Sequence, residues 1–85
     1  MTEREFKLLL EAGAVRSVLI MASGSSFYLE AKAGGLVKVL QTGRGEVRQW
    51  RTVDSCAKWL RKNGIGRAEI NFENWHLGQK DLEFH

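Results

Sequence analysis

Apolar residues change period several times along this chain, and each change marks an element. Thr2 and Glu5 have the spacing of a capping box. Phe6, Leu9 and Leu10 then follow at i, i+3 and i+4, which predicts a first helix ended by Gly13. Residues 15–22 are apolar on both parities, with Val18 and Ile20 on one and Leu19 and Met21 on the other, as in a strand covered on both faces. After the turn Ser23-Gly24-Ser25, residues 26–33 alternate cleanly. Phe27, Leu29, Ala31 and Ala33 oppose Tyr28, Glu30 and Lys32, so this strand is half-buried. Gly34-Gly35 predicts a two-residue hairpin into a third strand over 36–42. Gly43-Arg44-Gly45 turns the chain into a fourth, shorter strand over 46–51 that carries Trp50.

Thr52 is suited to cap a second helix, and Asp54 places negative charge in its first turn. Val53, Cys56, Ala57 and Leu60 form its core stripe, flanked by Trp59, and Asn63-Gly64 stops it. A fifth strand is predicted over 67–72, where Ala68, Ile70 and Phe72 alternate with Arg67, Glu69 and Asn71. The order α-β-β-β-β-α-β with short turns predicts an α+β domain. Its sheet is an antiparallel meander with two helices packed on one face. The domain covers 1–72, and 73–85 is a tail whose Trp75, Leu82 and Phe84 suit it to docking. Two helices cover only one face, so the doubly apolar first strand needs a second cover. A homodimer through Val18, Leu19, Ile20 and Met21 is the expected solution, the tail the alternative.

Composition narrows the class. Eighty-five residues, 44% apolar and 27% charged, with no proline, describe a small folded domain. A chain of this size buries only about 60% of the surface its unfolded form exposes. The longest apolar run, 18–22, falls far short of the roughly 20 residues a membrane-spanning helix requires. The acidic start Met1-Thr2-Glu3-Arg4-Glu5 lacks the features of a signal peptide. A cytoplasmic location is therefore expected, and a lone cysteine fits a reducing compartment.

Catalytic constellations are hard to assemble from these residues. His76 and His85 both fall in the tail, without a metal-ligand spacing, so no metal or other cofactor is expected. Cys56 lies on the apolar stripe of the second helix and reads as a buried structural thiol rather than a nucleophile. Gly43-Arg44-Gly45 sits between strands and lacks the Gly-Lys-Ser/Thr ending of a phosphate loop. The carboxylates are scattered, no small-molecule substrate is evident, and the chain is expected not to be an enzyme.

Charge is distributed more tellingly. The net +3 hides a balance of +7 between Lys32 and Arg67, offset by an acidic C-terminal stretch. Clustered lysine and arginine displace condensed counterions from nucleic acid. Arg44, Arg48, Arg51, Lys58, Arg61 and Lys62 are the candidate DNA contacts, with Arg44 as a probe at a hairpin tip. The plainer reading makes Lys58, Arg61 and Lys62 a solvated helix face and Arg48 and Arg51 guards of an edge strand.

Particular stretches carry a resemblance. Glu11-Ala12-Gly13-Ala14-Val15-Arg16 opens it, and a glycine-punctuated meander follows. Arg48-Gln49-Trp50-Arg51-Thr52-Val53-Asp54, Ala57-Lys58-Trp59-Leu60-Arg61 and Asn63-Gly64-Ile65 complete it. This layout, over about residues 5–72, resembles the ParC-type accessory proteins of plasmid partition loci, which are unrelated to the topoisomerase subunit of that name. The resemblance implies a non-enzymatic role in plasmid maintenance, with a partition ATPase and a centromere-binding protein as partners. The function expected is that of an accessory protein of plasmid or mobile-element maintenance, binding DNA or an acidic partner through its basic middle. The alternative is a protein-interaction or dimerisation module without nucleic-acid contact.

Overall fold

The computed structural model describes residues 1–76. Helix α1 spans Glu3–Glu11 and is followed by strands β1 (Val15–Ser23), β2 (Ser26–Ala33) and β3 (Leu36–Val39). Helix α2 (Val53–Lys62) and strand β4 (Glu69–Asn71) complete the order. The class is α+β, as the periodicities predict. The capping box forms: the Glu5 amide donates to Thr2 Oγ1 at 3.2 Å and the Thr2 amide to Glu5 Oε1 at 2.8 Å. The bond from the Thr2 amide, helped by the Thr2 hydroxyl, favours the Glu5 carboxylate and holds its pKa below the usual value. At the β2–β3 hairpin, Gly34 and Gly35 both have positive φ, 60° and 79°, the backbone that a tight right-twisting turn demands.

The sheet runs β3-β2-β1-β4 and is mixed. β2 is antiparallel to both β1 and β3, whereas β4 lies parallel to β1, with Ile20 opposite Ile70. This corrects the antiparallel meander. The helix between β3 and β4 carries the chain back across the sheet, so β4 enters along the free edge of β1 in the direction of β1 itself.

The fourth predicted strand, 46–51, does not form. The chain leaves the line of β3 after Leu40, whose amide donates to the Leu29 carbonyl. It rejoins that line at Trp50, which exchanges two 2.8 Å hydrogen bonds with Phe27. Residues 41–49 form an excursion pinned by the Thr42 amide on the Glu46 carbonyl and the Arg48 amide on the Leu40 carbonyl. The detour turns Arg48 and Trp50 toward the helices.

Both helices cover one face of the sheet. Val18, Ile20 and Ala22 of β1 and Phe27, Leu29 and Ala31 of β2 share that face. They pack with Phe6 of α1, Cys56 and Leu60 of α2, and Leu40 and Trp50 of the excursion. Phe6, Leu29, Leu40 and Cys56 are almost fully enclosed. Burying a side chain of Phe or Leu size contributes about 1.5–3 kcal/mol. Trp59 ties the helices together, with ring centroids 5.7 Å from Phe6 and 5.5 Å from Trp50.

The opposite face carries Leu19 and Met21 of β1, Tyr28, Glu30 and Lys32 of β2, and Val37 and Val39 of β3. Leu19, Met21, Tyr28 and Val39 are half-buried there and Val37 is exposed. The chain stays docked past residue 72. The Gly24 amide donates to the Asn74 carbonyl and the His76 amide to the Gly24 carbonyl. Phe27, Phe72 and Trp75 form a second aromatic group. The remainder of the predicted tail, 77–85, lies outside the described residues.

Candidate functional site

Helix α2 organises most of the basic residues. Thr52 caps it, with Oγ1 accepting from the Ser55 amide at 3.1 Å. At its other end Asn63 Nδ2 donates to the Trp59 carbonyl at 2.9 Å. With Cys56 and Leu60 turned inward, Lys58, Arg61 and Lys62 are exposed on the helix, and Arg51 is exposed just before its cap. Asp54 reaches Lys58 at 3.2 Å, but both side chains are at least three-quarters exposed, and such a pair is worth little. The positive charge therefore stays available to a partner. Arg61 and Lys62 also complement the dipole at the helix C-terminus.

Arg48 is engaged within the protein. Its guanidinium donates to Glu3 Oε1 at 3.0 Å and lies over the rings of Trp50 and Trp59, 4.8 and 5.4 Å from their centroids. It joins the N-terminal turn of α1, the excursion and α2. Glu3 is shared with Lys7, 3.2 Å away. Arg44 is exposed on the 42–46 turn, where its amide donates to Thr42 Oγ1. The groove beside that turn is lined by Glu3, Arg4, Gln41, Thr42, Gly43 and Arg48.

The four residues expected at a dimer interface divide between the faces. Val18 and Ile20 are sealed in the chain's own core, only 4% and 2% exposed, and offer no surface to a second chain. Leu19 and Met21 lie on the face the helices leave open. Cys56 is fully enclosed, and burial pushes its thiol up from about 9.0 to about 11 despite the nearby Arg48 charge. Such a thiol stays protonated at neutral pH and is a poor nucleophile. Among the described residues no three His, Cys, Asp or Glu side chains gather into a metal site.

No family model, curated protein or solved structure matches this chain. Its surface chemistry is thus the direct guide to what it binds.

Arg16 and Arg67, which are not among the six candidate contacts, line a second groove. The pairing of β1 with β2 shifts register between Val15 and Ser17. Val15 pairs with Ala33 and Val18 with Ala31, so two residues three apart both turn to the core face. Arg16, which strict alternation would send inward with Val18, is exposed instead. It lines an open groove with Ser17, Gly66, Arg67 and Glu69, beyond the C-terminal end of α2. The legible signal is the polar pair Arg16-Ser17 between Val15 and Val18, ahead of the continuous apolar run 18–22.

Proposed function

We propose that this chain is a small, non-catalytic accessory protein that binds nucleic acid, acting in the cytoplasm in plasmid or mobile-element maintenance. The exposed cations Arg51, Lys58, Arg61 and Lys62, with Asp54 as the one carboxylate on the same helix, carry the binding part of this reading. At 1.5 Å per residue the helix holds them along about 15 Å. A duplex presents one phosphate charge per roughly 1.7 Å of its axis, so such a ridge meets several phosphates at once. The maintenance role rests on the ParC-type resemblance, which brings with it a partition ATPase and a centromere-binding protein as companions.

Fluorescence anisotropy with a labelled duplex tests the binding. Four phosphate contacts give a slope of log affinity against log salt of about −3 to −4. The double variant Arg51→Glu/Arg61→Glu is expected to abolish binding. Absence of binding to duplex or single strand at low salt refutes the reading. Deletion of the gene from its replicon tests the process separately, with a raised loss rate expected and an unchanged one refuting the maintenance role.

The open sheet face favours a second reading, a dimerisation module. Leu19, Met21, Tyr28 and Val39 form an apolar patch beside Glu30 and Lys32. Sedimentation over a hundredfold range of concentration decides it, and a constant monomer removes it.

A further inference from the structure

We infer that the groove between the shifted start of β1 and the segment 66–69 is a binding site for a phosphate oxyanion, supplied by the backbone of the bound nucleic acid. This rests on the nucleic-acid reading above and adds a location and residues to it.

The argument starts from Arg16. A register shift in a strand costs a ladder position, and its effect here is to turn a guanidinium out at the sheet edge while keeping Val15 and Val18 in the core. Across the groove stands Arg67, also exposed. A third guanidinium approaches from α2: Arg61 Nη1 lies 4.0 Å from where a Cβ on Gly66 would stand. Gly66, unlike Gly64, does not have a positive φ, so its backbone does not demand glycine. Its bare backbone leaves room beside Arg61. Arg16, Arg61 and Arg67 form no ion pair with any described carboxylate. Arg16 of β1 and Arg67 of the β4 approach thus line one open groove, and the Arg61 guanidinium of α2 lies beside its Gly66. Planar guanidinium forks suit phosphate oxygens. Arg61 of the α2 ridge reaches the Gly66 side of this groove, so one strand can run along the ridge and place a phosphate here. Glu69 lines the inner end and opposes an anion. Its presence gives the inference a second, opposite-signed test.

The experiment is the salt dependence of duplex binding for four proteins: wild type, Arg16→Ala/Arg67→Ala, Glu69→Gln, and, as control, Arg4→Ala on α1 beside Gln41. The double variant is expected to shrink the slope by about 2. It is also expected to weaken binding at least tenfold at 50 mM salt, with unchanged circular dichroism. Glu69→Gln is expected to tighten binding severalfold, and Arg4→Ala to leave it as it is. A wild type that binds and a double variant indistinguishable from Arg4→Ala overturn the groove and leave the nucleic-acid reading standing. A wild type that binds neither duplex nor single strand refutes that reading, and the groove is then judged by inorganic phosphate alone. Saturable amide shifts confined to Ser17, Gly66 and Arg67 support it as a site for free phosphate; shifts elsewhere, or none, overturn it.

Discussion

Removing the Arg48 side chain is expected to destabilise the fold without touching the basic ridge. The guanidinium makes one ion pair, with Glu3 at 3.0 Å, and two ring contacts, with Trp50 and Trp59. The ion pair is about a third exposed on one side and two-fifths on the other, so solvent screening holds it to about 0.2–1 kcal/mol. Each ring contact contributes about 0.5–1 kcal/mol in a half-exposed setting. Together Arg48→Ala should cost about 1.2–3 kcal/mol, a large part of the roughly 4–13 kcal/mol a domain of this length commands. A loss of that size lowers the melting temperature by about 5–24 °C. Urea unfolding followed by tryptophan fluorescence and far-ultraviolet dichroism measures it. Arg48→Lys keeps the charge but not the flat face over the indoles, and is expected to recover less than half. Arg61→Ala, on the exposed side of α2, is expected to lie within about 0.5 kcal/mol of wild type. The reasoning is refuted if Arg48→Ala and Arg61→Ala unfold alike. It is also refuted if folded Arg48→Ala loses duplex affinity as fully as Arg61→Ala, since its guanidinium would then be a contact rather than a clasp.

Further outcomes follow from other residues. Leu40→Ala, in a site with no exposed surface, should cost about 2–5 kcal/mol in the same denaturation. Thr52→Ala removes the cap of α2 and should cost about 1 kcal/mol, visible as a lower urea midpoint at unchanged slope. Cys56 should resist a thiol reagent under native conditions and react at once in denaturant; rapid native labelling would contradict its enclosure. Because its folded pKa is raised from about 9.0 to about 11, its contribution is full below pH 9. That contribution declines as the unfolded thiol ionises over pH 9–11, so a Cys56→Ala variant should show a flatter alkaline limb in its stability profile.

Local signals in the sequence were read well because their causes are local. Thr2 with Glu5, Thr52, Gly34-Gly35 and the alternation of 26–33 each act on neighbours within a few positions, and each forms what it predicts. The departures come from distant partners. The parallel entry of β4 depends on which edge of β1 is free once α2 has crossed the sheet. The 41–49 excursion forms because Trp50 is drawn to Phe27 and Trp59, although 46–51 has the composition of a strand. Arg48 looks identical to Arg51 in a charge count. Its commitment is decided by Glu3, forty-five positions away, and by two tryptophans, one of them on α2. Arg16 stands outside the candidate contacts of the sequence because its exposure depends on the register shift between Val15 and Ser17, which is set by pairing with β2.

The place of β4 also has a consequence for the chain as the ribosome makes it. β2 follows β1 after a short turn, so a hairpin can close within about 1–10 microseconds of its emergence. The other edge of β1 waits for Glu69–Asn71. At about 5–20 residues per second, the interval between completing β2 and delivering β4 lasts roughly 2–7 seconds. Throughout it, the Leu19–Met21 stretch presents open amide and carbonyl groups flanked by apolar side chains, a template for pairing with any other nascent strand. A chain cut short before Glu69 should therefore precipitate where the longer one stays in solution, and slower translation should worsen the yield of both.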